Sequence, residues 1–361
     1  MVGLSGGVDS AVAALELLRA GYRVEGLFMR NWEDDDTATE CTVEADLADA
    51  RQVCDVLDIP LHEVNFAAHY REAVFERCLR EFRAGRTPNP DVLCNREIKF
   101  SAFLDHALRL GGDLVATGHY VRRGEDDGQA TLHRGADRNK DQSYFLYMVP
   151  HQALRYALFP LGDMAKPEVR RIAEAAGFDN FEKKDSTGIC FIGERDFAGF
   201  LGRYIAPTPG PILTLDGARV GEHHGLAFYT LGPRQGLGIG GRAGAGTAPW
   251  YVVDKRPGEN ALIVAQGADH PRLFSEGLTA DDLHWVAGRP PAAKPLRCHA
   301  QIRYRQPGQA CTAVPDSDGG MRVVFDDAQR AVTPGQSIVF YQGDRCLGGG
   351  IIREPIRSVT P

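Results

Sequence analysis

The chain has 361 residues, 43% of them hydrophobic and 25% charged, which is the make-up of a globular protein with two or three cored domains. A net charge of −7 excludes nucleic-acid binding through overall charge, so any RNA contact must come from local basic surfaces. There is no apolar run long enough to span a membrane and no signal-peptide pattern, so a cytoplasmic protein with no membrane partner is expected.

Only Met1–Leu4 precede the first distinctive feature, Ser5-Gly6-Gly7-Val8-Asp9-Ser10, and a helical run from Ala11 to Ala20 follows it. Adjacent glycines turn the backbone tightly and gather N–H groups into one concavity, and the helix adds the positive end of its dipole. The site therefore suits phosphate. Ser5 and Ser10 supply hydroxyls, and Asp9 suits a Mg²⁺ ion held against phosphate oxygens. The Gly-Lys-Ser/Thr ending of a Walker A loop is absent. Strand signals at Val24–Met29, Leu61–Asn65 and Asp113–Thr117 alternate with helical stretches at Val43–Leu57, Tyr70–Phe82 and Phe100–Leu110. That order predicts a parallel sheet with helices on both faces and ligands at the carboxyl ends of its strands.

Prolines and Gly210 crowd residues 205–215 and mark a boundary. A small central domain is expected after it, with a turn at Asp216-Gly217 and strands at Trp250–Asp254 and Leu262–Ala265. Short strands at Leu296–Tyr304, Ala310–Val314, Met321–Phe325, Ser337–Tyr341 and Cys346–Ile352 then predict a closed β-barrel. The expected division is 1–204, 205–270 and 271–361. On Leu296–Arg305, Arg297, His299, Gln301, Arg303 and Arg305 alternate onto one face, which suits a phosphate backbone or simply solvent.

Eight cysteines at irregular spacing point to thiols rather than a disulfide framework. Cys54, Cys78 and Cys298 share apolar periodicity with their neighbours and are expected in cores, whereas Cys41, Cys311 and Cys346 have no assigned place. Cys94 follows the proline-punctuated run Thr87–Leu93, with Asp91 three residues before it, just ahead of a helical stretch. Cys190 lies in Asp185–Gly193 after Lys183 and Lys184. The residues alone leave core and catalytic readings of both thiols open.

The Ser5–Ser10 loop resembles that of the ATP pyrophosphatases, which have an adenine nucleotide α-hydrolase-like α/β fold. Further segments, among them Gly85–Phe100, Ala116–Tyr120, Asn139–Leu146, Lys183–Arg195 and Val332–Tyr341, resemble the bacterial tRNA-specific 2-thiouridylases nearly end to end. The resemblance implies 2-thiolation of a wobble uridine with ATP and Mg²⁺, a Cys190 persulfide as sulfur donor and Cys94 as second catalytic cysteine. Asp91 would be a general acid or base. It implies ATP contacts from Gly3, Leu4, Ser5, Gly6, Gly7, Val8, Asp9, Ser10, Met29 and Gly118, with Asp9 at the metal. Asn89, Pro90 and Asp91 would meet the target base, and His119, Lys140, Asp141, Gln142, Arg303, Tyr304 and Gln336 would face tRNA. The expected partners are tRNAs reading Lys, Glu and Gln codons and a sulfur donor, either a cysteine desulfurase or a sulfur-relay protein. Two rivals are another ATP pyrophosphatase, tRNA-modifying or amide-forming, and a non-catalytic RNA-binding protein.

Overall fold

The computed structural model describes residues 1–33, 37–184, 197–234, 236–239, 248–292 and 294–357, with no side chains described for 37–42. The strands of its first half are β1 (Val2–Leu4), β2 (Gly26–Arg30), β3 (Leu61–Asn65), β4 (Val115–Ala116), β5 (Val121–Asp126), β6 (Gln129–Arg134) and β7 (Ala157–Leu158). Five of them form a parallel sheet in the order β3-β2-β1-β4-β7. Although β1 is only three residues long, it is the central strand, pairing Val2 with Gly26 on one side and Ala116 on the other. Helices cover both faces, so its inner strands β1, β2 and β4 are mostly apolar without alternation. Helix α1 (Val8–Arg19) sinks Val12, Ala13 and Ala14 completely. Small residues there let the helix lie close on the sheet, beside Leu47, Ala50 and Cys54 of α2 (Thr37–Leu57).

Two features depart from the expected elements. Helix does not wait until Phe100: it begins with Pro90–Leu93, continues through widened turns over Cys94–Ala102 and ends with Phe103–Arg109. Asn89 caps it, accepting from the Val92 N–H at 3.4 Å, and Pro90 takes the first helical position, where a missing N–H costs nothing. Pro90, part of the proline-punctuated run expected to precede the helix, therefore starts it. The second departure is the β5–β6 hairpin. It turns at Asp127 and Gly128, both at positive φ, and leaves the first sheet altogether.

That hairpin joins the C-terminal strands. They are β12 (Phe274–Trp285), β13 (Leu296–Gln301), β14 (Gln309–Pro315), β15 (Met321–Arg330), β16 (Ser337–Gln342) and β17 (Arg345–Ile356). The order β12-β15-β14-β13-β16-β17 is closed into a barrel by β12 against β17, and β6 adds to β17 through Leu132 opposite Cys346. Leu278, Cys298, Ala313, Val323, Ile338 and Phe340 fill the barrel. The strand β12 escaped the sequence reading because Gly277 and Asp281-Asp282 break its alternation. Between the two halves lie β8 (Gly210–Leu213), β9 (Arg219–His223), β10 (Trp250–Arg256) and β11 (Ala261–Gln266), in the order β10-β11-β8-β9. Among the described residues no helix is long and apolar enough to cross a membrane.

Candidate active site

The Ser5–Ser10 loop sits at the carboxyl end of β1, as the alternation of elements requires. The Ser5 N–H donates to Ser10 Oγ at 3.2 Å, and Ser10 Oγ donates to the Gly7 carbonyl at 2.9 Å, so the loop is closed by its own atoms. Gly6 is at φ +71°, and a Cβ there would overlap the carbonyl oxygen of Asp46. A Cβ on Gly118 would lie 2.7 Å from the Asp9 carbonyl carbon and 2.8 Å from the Ser10 nitrogen. The segment after β4 thus lies flat against the first turn of α1. Leu4 and Val8 are buried in the core, so only their backbones face the loop, while Met29 is half-buried at the end of β2.

Two lysines converge here, Lys166, which the sequence did not single out, and Lys183, expected only as a flank of the Cys190 segment. Lys166 Nζ reaches both Asp9 carboxylate oxygens, at 2.7 and 2.8 Å, and the Tyr120 hydroxyl donates to the same carboxylate at 2.7 Å. Lys183 Nζ donates to the Gly6 carbonyl at 3.2 Å and to Asp46 and Asp49 at 2.6 and 2.5 Å. Burial works against the Lys183 ammonium, but the two carboxylates outweigh it and hold its pKa above the ordinary lysine value. Neither lysine is near the loop in sequence, and no local pattern marks them. Asp9, expected at a metal ion, is paired with Lys166 in this structure. Among the described residues no cluster of three or more His, Cys, Asp or Glu is placed to hold a metal. The donor set fits a divalent ion only as one carried on phosphate oxygens with a single protein carboxylate.

The second centre is a cavity of about 400 Å³ lined by Thr87, Pro88, Asn89, Pro90, Asp91, Tyr144, Phe145, Thr230, Tyr304 and Gln336, with Phe82 and Phe197. It gathers five of the expected base- and tRNA-facing residues from three distant parts of the chain. Thr230 is an addition that no sequence signal singled out, and Tyr144 and Phe145, within the matching segment Asn139–Leu146, had been given no role. Gln336 Nε2 donates to the Thr87 and Pro88 carbonyls at 2.9 and 3.3 Å, and the Thr87 N–H donates to the Pro334 carbonyl at 2.9 Å. The barrel thereby clamps the strand of chain that leads into Asp91. Burial pushes the Asp91 carboxyl above the usual carboxylate range, and Lys99 pulls it part of the way back. Cys94, one turn further, is buried among Phe75, Leu79 and Leu93. Cys190 lies outside the described residues.

Other expected tRNA-facing residues make contacts within the fold. His119 is buried, and burial first and Lys99 second hold its pKa well below the usual imidazole range. Lys99 Nζ donates to its Nε2 at 3.5 Å, which leaves Nδ1–H to donate to Thr117 Oγ1 at 2.7 Å. Asp141 is also buried, accepting from Arg134 Nη1 at 3.0 Å and from the Gly135 and Ser143 N–H groups at 3.1 Å. Gln142 Oε1 accepts from the Tyr120 N–H at 2.9 Å. Lys140 and Tyr304 are half-buried and Arg303 is exposed. The expected face of Leu296–Arg305 breaks where β13 ends at Gln301, which is buried, and Arg297 is paired with Asp326 at 2.6 Å. What remains is a groove of about 560 Å³ with Arg134, Arg138, His299 and Arg305, sharing Tyr304 with the first cavity.

Comparison with known proteins bears on all of this. A family model described as a tRNA methyl transferase HUP domain matches residues 1–194. One described as a tRNA methyl transferase PRC-barrel domain matches 198–266, and an aminomethyltransferase beta-barrel domain matches 275–352. The tRNA-specific 2-thiouridylase MnmA of Alkalilimnicola ehrlichii is 63% identical over 98% of this chain and 96% of its own. Its namesake from Sodalis glossinidius is 60% identical over 99% of this chain and 97% of its own. Among solved structures, the NMN synthetase from Francisella tularensis covers 56% of this chain and 71% of its own, with 17% identity and a TM-score of 0.34, a likeness that carries no weight. Identity above 60% along almost the whole chain outweighs the word methyl transferase in the domain descriptions.

Proposed function

The chain belongs to the tRNA-specific 2-thiouridylases, and from that premise we propose that it replaces O2 of the tRNA wobble uridine with sulfur at the expense of ATP. The observation that carries the proposal is the cavity in which Asn89, Pro90 and Asp91 meet Tyr304 and Gln336. It is a partly apolar chamber with a carboxyl whose pKa is raised, suited to a base turned out of its stack. The Ser5–Ser10 loop, with Gly3, Leu4, Met29 and Gly118 beside it, would cradle ATP, and Lys166 and Lys183 would neutralise its phosphates. Mg²⁺ on those phosphates, with Asp9 as its protein carboxylate, would supply Lewis-acid stabilisation of the leaving pyrophosphate.

Uridine O2 attacks the α-phosphorus and pyrophosphate leaves, so that O2 departs later as an oxygen of AMP. The terminal sulfur of a Cys190 persulfide attacks C2 and AMP is expelled. Cys94 thiolate then attacks the Cys190 sulfur, forming a Cys94–Cys190 disulfide and releasing the sulfur on C2 as the thiocarbonyl. Asp91 moves the proton needed at the base. Arg303, Lys140 and the groove beside Tyr304 would hold the backbone of the anticodon loop, with His119, Asp141 and Gln142 supporting them. The substrates are taken to be tRNAs reading Lys, Glu and Gln codons, and the sulfur source a cysteine desulfurase or relay protein. We place the catalytic, central and tRNA-contacting units at 1–204, 205–270 and 271–361.

Nucleoside mass spectrometry tests the proposal on unmodified tRNA incubated with the protein, ATP, Mg²⁺ and a persulfide-generating system. 2-Thiouridine should form with the unaltered protein and not with Cys94→Ser or Cys190→Ser. Its formation by both variants would remove the cysteine mechanism. Its absence with the unaltered protein, while the desulfurase is active, would return the amide-forming ligases.

A further inference from the structure

Among the described residues, Lys99 is a cation between the two centres that the reaction above does not use. It lies in the widened helical segment Cys94–Ala102, five residues beyond Cys94. Such segments displace side chains from the regular helical positions and recur at functional sites. On one side its ammonium is anchored on His119 Nε2 at 3.5 Å, and His119 follows Gly118, the residue packed against Asp9 and Ser10. On the other side its charge acts on the Asp91 carboxyl in the base cavity.

The anchor holds the ammonium without neutralising it. With its Nε2 accepting from Lys99, His119 has no proton to lose there, and it is neutral because burial and Lys99 itself suppress its charge. Among the described residues no carboxylate forms an ion pair with Lys99, and it is only half-buried. An ammonium carries three donors, of which His119 takes one. Two remain for an anionic oxygen.

We propose that Lys99 is a further catalytic residue, whose ammonium binds the α-phosphoryl group and uridine O2 as they join. The inference rests on the thiouridylase reading. In the step that forms the O2–phosphorus bond and breaks the bond to pyrophosphate, negative charge grows on the equatorial oxygens of the α-phosphorus. A fixed cation there stabilises the transition state more than either ground state. The same ammonium then faces AMP as it is expelled from C2.

Single-turnover, tRNA-dependent pyrophosphate release tests this in the full-length protein with Lys99→Met and Lys99→Arg. With Lys99→Met the rate should fall about 100-fold, the loss typical of one preorganised donor, while ATP and tRNA dissociation constants move by no more than about threefold. Lys99→Arg keeps the charge and should recover part of the rate. The pH profile gives a readout that a merely structural lysine would not move. Asp91 is faced by Lys99 from its own helix and by Cys78 from the helix Glu76–Arg83, and burial pushes the Cys78 thiol up to about 12, so it stays uncharged. Removing Lys99 therefore raises the Asp91 pKa further, and the limb of the profile set by Asp91 should move to higher pH in Lys99→Met only.

A Lys99→Met rate within about threefold of the original, or a loss confined to ATP or tRNA binding, overturns the proposal. Should Lys99→Met fail to fold, Lys99→Arg and Lys99→Gln decide between them, since a loss in Gln that Arg does not share supports the charge. An unaltered protein that forms no 2-thiouridine would sink the thiouridylase reading itself, and this inference with it.

Discussion

The Ser5–Ser10 loop and the Thr87–Asp91 segment both prepare a spot for reacting groups, yet they are held in different ways. The loop takes much of its shape from within six residues, through Ser5, Gly7 and Ser10, and is braced from afar by Lys166 and Lys183 and by the neutral groups of Tyr120 and Asn180. Thr87–Asp91 borrows its shape. Its backbone is clamped by Pro334, Gly335 and Gln336 of the barrel, and a Cβ on Gly335 would come within 3.0 Å of Thr87 backbone atoms. On the proposed reading, phosphate recognition is therefore mostly local to the Ser5–Ser10 loop, whereas base recognition depends on the barrel being docked. Truncating the barrel should therefore cost the base site before it costs the nucleotide site.

The sharpest way to break that contrast is Asp91→Asn. It should lower 2-thiouridine formation by about 10²–10⁴-fold, the usual worth of a positioned acid or base, and leave ATP binding intact in a filter assay. An unchanged rate would deny the segment its chemistry. Next in size is a pair within the loop. Gly6→Ala forces a side chain into φ +71° and onto Asp46, costing about 1–3 kcal/mol for the backbone alone and weakening ATP binding. Gly7→Ala meets only Ser5 Oγ, at 3.4 Å, at an ordinary φ of −94°, and should cost about 1 kcal/mol or less. Thermal denaturation and ATP titration would separate the two variants, and equal losses would show that the loop is not shaped by Gly6.

Gln336→Ala removes one donor from two carbonyls, a net contribution of about 1 kcal/mol. Thiolation should fall about tenfold with ATP affinity unchanged, because only the clamp is loosened. A parallel loss of ATP affinity would mean that the two centres are not separable. The smallest effect is electrostatic. Lys255 of β10 donates to the Gly85 carbonyl at 2.9 Å, two residues before Thr87, and burial lowers its pKa to about 8. Between that value and the ordinary 10.5 the unfolded chain binds a proton that the folded chain has lost, so folding stability should rise with pH across this window. In Lys255→Met that slope should vanish from urea titrations taken below and above pH 8.

This division also explains what could be read from the residues. The parallel sheet and the phosphate loop are written in contiguous patterns, alternating β and α signals and a glycine-rich turn. Cys54, Cys78 and Cys298 were legible as core thiols from apolar periodicity, and all three are buried. Cys311, which periodicity did not place, is buried opposite Cys298 on the next strand. The helix start at Pro90 was misread because proline serves both loops and first helical turns, and only the Asn89 cap distinguishes them. The β5–β6 hairpin carries a plain Asp127-Gly128 turn, but nothing local says that its partner is β17, more than 200 residues later. The same holds for the cavity, where Tyr144, Thr230 and Gln336 come to Asn89 from distant parts of the chain; family resemblance supplied Asn89 and Gln336 and gave no role to Tyr144 or Thr230.

The central claim is that uridine O2 is activated by adenylation and leaves with AMP. A tRNA whose wobble uridine carries oxygen-18 at O2 tests it directly, by mass spectrometry of the nucleotide products of one turnover. The label should appear in AMP, one atom for each 2-thiouridine formed, and not in pyrophosphate or water. Label found in water or pyrophosphate while 2-thiouridine accumulates would contradict the adenylation step and the roles built on it for the Ser5–Ser10 loop and Lys99.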